Sequence, residues 1–366
     1  MTRTKPPFRA DVVGSLLRAA PLKAARAKRE KGEIGASELA AVEDREIEQI
    51  IRKQAEVGLK VATDGEFRRS WWHFDFFRML DGVELYAPDH GIQFHGIQTR
   101  AQSVRITGKL GLSNHPMLDH FRFLKAHTQA VPKMTIPSPS VLHFRLEPDA
   151  VNAEIYADRD AIFDDLAETY GRTIRAFYDA GCRYLQFDDT AWAYLCSQAE
   201  LTKARARGLN AERLAQDYAR LINRALAYKP ADMVITTHVC RGNFRSTWIS
   251  EGGYEPVAEI LLRLNYDGYF LEYDSARAGG FEPLRFLPKG NKIIVLGLVT
   301  TKTGALENKT EVKRRIDEAT KYVALDQLCL SPQCGFASTE EGNILAEEEQ
   351  WAKLRIIVEL AEEVWG

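Results

Sequence analysis

The sequence predicts a (β/α)8 barrel with an antiparallel β insertion after its second strand. Eight short, β-rich apolar runs recur along the 366 residues, and amphipathic helical patterns separate most of them. The runs are nearly continuous in Val, Ile, Leu, Phe and Tyr, as parallel strands covered on both faces require.

RADVVGS at 9–15 is the first candidate strand and LKVATDGE at 59–66 the second. Between them, ASELAAVEDREIEQIIRKQAEVG has helical periodicity, with Ser37 as a cap candidate and an end near Gly58. Residues 70–130 break the rhythm. There GVELYAPDHGIQFHGIQTRAQSVRITGKLGL alternates polar and apolar residues between turn signals, so the segment is expected to form hairpins over the barrel mouth. KMTIPSPS (133–140) and RYLQFDD (183–189) flank a helical pattern that runs to Gly181. NAERLAQDYARLINRALAY leads into MVITTHVC (233–240), which is followed by GYFLEYD (268–274) and KIIVLGLV (292–299). KTEVKRRIDEATKYV then precedes QLCLSPQC (327–334). The closing EEEQWAKLRIIVELAEEVWG is an amphipathic helix whose acidic start suits a helix N-terminus. No linker or low-complexity tract interrupts the chain, which reads as one domain over 1–366.

Composition narrows the function. Lys and Arg number 49 against 51 Asp and Glu, a net charge of -2 that gives no general attraction to nucleic acid or an acidic membrane. Hydrophobic residues at 45% and charged residues at 27% are those of a soluble globular protein. No run approaches the roughly 18 apolar residues of a membrane span, and MTRTKPPFRADVV lacks a secretory apolar region. Five scattered cysteines do not form a disulfide framework, so a reducing cytoplasm is expected.

In such barrels the reactive groups gather at the C-terminal strand ends. Those ends carry Ser15, Glu66, Asp188, His238, Cys240, Glu272, Lys302 and Cys334. Side chains two apart on a strand point the same way, so His238 and Cys240 can present two ligands to one ion. With Glu272 and Cys334 they make a nitrogen, sulfur and carboxylate set that suits Zn2+ better than Mg2+ or Ca2+. The plain alternative for a cysteine is a small buried hydrophobe, and that is the expectation for Cys182, Cys196 and Cys329.

The segments HVCRGN, FLEYDS and SPQCGF, with VVGSLLR, ATDGEFRR and LQFDDTAW, resemble the catalytic barrel of cobalamin-independent methionine synthase. The likeness spans essentially the whole chain and is closest to the short single-barrel relatives of that enzyme. It implies that zinc is held by His238, Cys240, Glu272 and Cys334, and that amino-acid contacts fall on Ser15, Glu66 and Asp188. Acids at 66 and 188 hold an ammonium, while the Ser15 hydroxyl and nearby N–H groups receive a carboxylate. The structural alternatives are an ion pair of Glu66 with Arg68 or Arg69, and a helix-capping role for Asp188.

Zinc lowers the pKa of what it binds, and a free thiol near ~8.5 is mostly protonated at neutral pH. Two thiolates and a carboxylate keep a bound sulfur electron-rich, which favours thiol alkylation over hydrolysis. Four protein ligands resemble a closed structural site, so catalysis requires an incoming sulfur to displace Glu272 or to join as a fifth ligand.

The long enzymes of the family have a second barrel, so its contribution to folate binding is expected to be absent or replaced here. Lys302 stands where they have a histidine, a tentative catalytic position whose change leaves the donor open between methyltetrahydrofolate and a methylcorrinoid, the latter possibly on a partner protein. Trp72, His73 and Trp192, near Trp71 and Phe76, are candidates to stack on a pterin or a corrin edge, with core packing as the alternative. Arg241 and Arg245 are candidates for an anionic group. The expectation is therefore a zinc-dependent methyltransferase acting on a small thiol, homocysteine first. Alkylation of coenzyme M by an epoxide, and a non-catalytic protein with structural zinc, are the alternatives.

Overall fold

A computed structural model describes residues 3–366. Its strands are β1 (Val61–Ala62), β2 (Asp81–Tyr86), β3 (Gln93–Phe94), β4 (Ile97–Gln98), β5 (Ser103–Gly111), β6 (Val131–Pro137), β7 (Tyr184–Asp189), β8 (Val234–Val239), β9 (Gly268–Glu272), β10 (Ile293–Val299) and β11 (Leu328–Pro332). Seven of them form a curled parallel sheet in the order β1-β6-β7-β8-β9-β10-β11, consistent with a barrel of the (β/α)8 type. Helices on the outside bury apolar stripes against it. The helix Leu214–Leu226 buries Leu214, Tyr218, Leu221, Ile222 and Ala225, the spacing of one helical face.

The first run expected as a strand makes only a single bridge, Ala10 to Leu330 on β11. Asp11 explains the difference. Its side chain accepts from the backbone N–H of Phe8 and of Val12, local bonds that compete with a ladder. Gly14 then bends the chain at φ +152°. The segment still spans the gap between the outer strands. Asp11 N–H donates to Leu330 O at 3.0 Å, and Leu16 N–H donates to Gly65 O at 3.0 Å.

Asp11 also anchors the interior. Its carboxylate accepts from Lys133 Nζ at 3.3 Å and from Tyr184 Oη at 2.9 Å, and all three side chains are buried. The Lys133 ammonium also lies 4.0 Å from the centre of the Phe270 ring.

The helix before β1 covers Ala36–Glu56 and is capped by Gly35, not Ser37. Glu38 reaches back to accept from the Gly35 N–H at 2.9 Å, so the acid three residues on decides the start. Gly58 at φ +91° closes it.

Within 70–130, β2 pairs with β5 and β3 with β4, both antiparallel. The segment also contains helices Phe74–Phe77 and Met117–His127, where strands and turns were expected. Met117, Phe121 and Leu124 bury one helical face, a period hidden by the polar residues between them. The β3–β4 tip lies against loops that follow β8 and β11. His95 N–H donates to Trp248 O at 3.1 Å, and Arg100 Nη1 to Glu340 Oε1 at 3.0 Å.

Candidate functional site

Four side chains converge at the C-terminal ends of the strands. Each of His238, Cys240, Glu272 and Cys334 offers one ligand atom, and these atoms all lie within 4.8 Å of one another. All four residues are buried. The two sulfurs are 3.6 Å apart. Neither ring nitrogen of His238 has a hydrogen-bond partner, nor does Glu272 Oε2. Buried polar atoms left this way are costly unless something else satisfies them. The cluster is a group able to hold a metal ion.

The other Glu272 oxygen, Oε1, accepts from the Arg241 N–H at 2.9 Å. Tyr254 Oη clamps the backbone of the same residue, accepting from Glu272 N–H at 3.0 Å and donating to Glu272 O at 3.3 Å. The Arg241 guanidinium stacks on the Tyr254 ring 4.5 Å away and is fully buried, so it braces this wall.

Charges in the cluster are mutually adjusted. The Cys240 thiol, donating to Cys334, holds the latter well below the usual thiol range, with the His238 charge adding to the effect. The same shared proton pushes Cys240 up. Burial alone would lower His238, but Cys334, Asp188 and Glu272 outweigh it and raise the imidazole to about 9.

Next to this cluster is a small cavity. Its lining includes Ser15, Glu66, Asp188, His238, Cys240 and Cys334, so the residues singled out for metal and for substrate share one space. Asp188 pairs in register with His238 on the neighbouring strand. Its carboxyl is pushed up to about 7 by burial, the nearby His238 opposing and Glu66 adding to the shift. Asp189 turns away toward the following residues, accepting from Ala191 N–H at 2.8 Å.

Glu66 sits at φ +61°, a left-handed conformation uncommon for a side chain of this kind. Its Oε1 accepts from Thr135 Oγ1 at 2.9 Å and lies 3.6 Å from Arg69 Nη1, while Oε2 has no partner. Burial raises this carboxyl, with Arg69 and Arg18 opposing. Arg68 is engaged elsewhere, with Glu43 and Asp44. Ser15 is held against the turn after Cys334, where its Oγ accepts from Ala337 N–H at 3.4 Å.

Lys302 is not among the residues lining the cavity. Its Nζ donates to Asn243 Oδ1 and Thr247 O, both at 3.1 Å, and Asn243 in turn donates to Gly335 O at 2.7 Å. Trp72 lines the cavity and stacks on His73 with ring centres 4.4 Å apart. His73 is buried with both nitrogens unpartnered, and its burial holds it well below the usual imidazole range. Trp192 is fully buried in the main hydrophobic core and does not line the cavity. Cys182 and Cys329 are buried free thiols, and Cys196 is a partly buried one.

Sequence reasoning missed Gln186, which donates to Asp188 Oδ1 at 2.7 Å and to Val13 O at 2.8 Å, and Thr135, the partner of Glu66. Gln186 stands two residues before Asp188 on the same strand, a same-face spacing that carries this signal.

Residues 8–363 match the family described as cobalamin-independent synthase, catalytic domain. The Bacillus subtilis (strain 168) protein "Uncharacterized protein YxjG" is 55% identical over 369 residues, which cover 100% of this chain and 97% of that protein. The crystal structure of a putative vitamin-B12 independent methionine synthase from Listeria monocytogenes matches with a TM-score of 0.81 and 47% identity, covering 100% of each chain. A B12-independent methionine synthase from Shewanella sp. W3-18-1, solved in complex with selenomethionine, has a TM-score of 0.74 at 19% identity and covers 97% of each chain, a likeness of fold. With a family match that runs nearly end to end, the chain belongs to the catalytic-domain family of cobalamin-independent methionine synthases.

Proposed function

We propose that the protein is a zinc-dependent methyltransferase that converts L-homocysteine to L-methionine, acting in the cytoplasm. The observation that carries this is the buried ligand cluster opening on a cavity with two acids. The cluster fits zinc: two thiolates each about 2.3 Å from one tetrahedral ion lie about 3.8 Å apart, and the sulfurs here are 3.6 Å apart. The unpartnered His238 nitrogens and Glu272 Oε2 supply the other two donors.

A zinc ion held there supplies Lewis-acid chemistry that makes a thiol easier to deprotonate at neutral pH. The chain's own residues do the rest. Glu66 and Asp188 receive the substrate ammonium, and Ser15 Oγ turns toward its carboxylate. Gln186 keeps Asp188 aimed into the cavity, and Thr135 does the same for Glu66. Tyr254 and the Arg241 N–H fix Glu272 so that one oxygen faces the centre. Trp72 covers the cavity and limits water. Lys302, through Asn243, steadies the turn that carries Cys334 and Gly335, a positioning task in place of proton transfer. In the transfer the sulfur–methyl bond forms as the donor's nitrogen–methyl bond breaks; the thiol proton is released and the leaving nitrogen takes one up.

The same reading treats residues 1–366 as one (β/α)8 barrel with 70–130 as an inserted segment over its mouth. The hydrogen bonds from His95 and Arg100 to the mouth loops support it. Among the described residues no helix is long and apolar enough to cross a membrane.

Calorimetry of the zinc-loaded protein tests the reading. L-homocysteine is expected to bind one per chain, and coenzyme M, whose sulfonate meets Glu66 and Asp188, is not. Binding of coenzyme M alone would overturn the substrate. Loss of the fold on chelation, with no thiol bound beforehand, would mark the metal as structural.

Gly335→Ala gives a sharper geometric check. A Cβ there would lie 1.9 Å from Ser15 Oγ, so the serine must leave its position. Affinity for L-methionine is expected to fall about ten-fold, the loss of one hydrogen bond to a charged group, with bound zinc unchanged.

A further inference from the structure

Arg18, at the end of VVGSLLR, is 3% exposed, and its guanidinium donates to four backbone carbonyls. Nη1 reaches Leu16 O at 2.8 Å, Gly65 O at 3.1 Å and Ala337 O at 3.1 Å, and Nη2 reaches Arg69 O at 3.1 Å. These carbonyls belong to three separate loops, those that follow the first strand-like segment, β1 and β11. Each loop carries a group of the metal cavity. Ser15 stands just before Leu16, Glu66 just after Gly65, and Cys334 and Gly335 shortly before Ala337. Four carbonyls around one point call for donors on two edges of a planar fork, which arginine has and a lysine ammonium lacks.

The bonds bracket Glu66 most closely. Arg69 N–H donates to Glu66 O at 3.0 Å, so residues 66–69 form one turn, and Arg18 holds the carbonyl just before that turn and the one at its end. Gly65 and Glu66 are both left-handed, at φ +63° and +61°. A side chain keeps such a conformation only where its surroundings fix it. Gly65 O also accepts from Leu16 N–H, so the residue next to Ser15 and the residue next to Glu66 are tied through one oxygen. Arg26 braces the outer side of the turn, donating to Phe67 O at 2.7 Å and to Arg69 O at 3.1 Å. Burial lowers the Arg18 guanidinium to about 10, still a cation at neutral pH, with Glu66 the main group opposing the shift.

We infer that Arg18 is the positioning residue for the amino-acid end of the site. It touches no substrate; it sets the spacing between Ser15 and Glu66, so that the carboxylate and the ammonium of one amino acid are met together. The inference rests on the homocysteine reading and extends it to a residue outside the cavity. None of the four carbonyls belongs to a candidate metal ligand, so the role is separate from metal binding.

Calorimetry on the zinc-loaded full chain, with L-homocysteine as titrant, reads the role in a cycle of Arg18→Lys, Glu66→Gln and the two together. Arg18→Lys alone is expected to weaken binding about ten- to a hundred-fold, the loss of a well-placed hydrogen bond to a charged group, with zinc content unchanged. In the Glu66→Gln background the same substitution should cost several-fold less, because the group it positions is already altered. Arg18→Gln, with one neutral amide donor, is the second variant and should bind more weakly than Arg18→Lys. Additive losses in the cycle, or no loss in either Arg18 variant, overturn the inference. Collapse of both variants by far-UV circular dichroism would make Arg18 a residue of the fold and overturn it too. Failure of the wild type to bind L-homocysteine sinks the substrate reading instead. The crystal structure of Arg18→Lys then decides the brace: residue 66 is expected to leave its left-handed conformation or Ser15 Oγ to shift, and an unmoved pair counts against it.

Discussion

His238→Ala and Cys334→Ser are each expected to lose stoichiometric zinc while the barrel still folds. The ligands sit at strand ends, where their side chains contribute little to the fold: His238 makes no side-chain hydrogen bond, and β8 is held to β7 and β9 through its backbone. Losing even a hydrogen-bond partner of a ligand typically costs about 10–100-fold in metal affinity, so loss of a ligand should exceed about 100-fold. Methyl transfer should fall with the metal. Elemental analysis alongside far-UV circular dichroism checks both halves, and full metal content in both variants would remove the centre from the proposal.

Asp11→Ala is expected to cost about 3–5 kcal/mol of stability, the penalty for removing one partner of a buried ion pair. The carboxylate takes donors from Phe8, Val12, Lys133 and Tyr184, and Lys133 is 1% exposed, so its ammonium would be stranded inside the sheet. The substitution also frees the segment that bridges β11 to the chain after β1. Urea unfolding should show the drop with zinc content intact. A change below about 1 kcal/mol would mean that Lys133 finds another partner or loses its proton, a state that burial already favours, against the pull of Asp11.

The candidate ligand cluster was legible because its residue types are uncommon together and because alternation on a strand fixes direction. The same rule separates Asp188, which faces the cavity, from Asp189, which accepts from Ala191 N–H. Seven of the eight strand-like runs lie in the parallel sheet. The other was misread because propensity weighs Val12 and Val13 as strand formers and cannot see that Asp11 turns its side chain back on the backbone. Tyr254 was out of reach for another reason: it lies well before Glu272 in the chain, and nothing local marks it as a brace.

Glu66 carries a further cost. Holding a long side chain at φ +61° spends roughly 1 kcal/mol or more that a glycine would not. Replacing it with glycine would relieve that strain but strand the buried Arg69 guanidinium, a loss of about 3–5 kcal/mol that outweighs the gain. Any thermostability campaign on this scaffold should keep residue 66 fixed and look for its gains elsewhere.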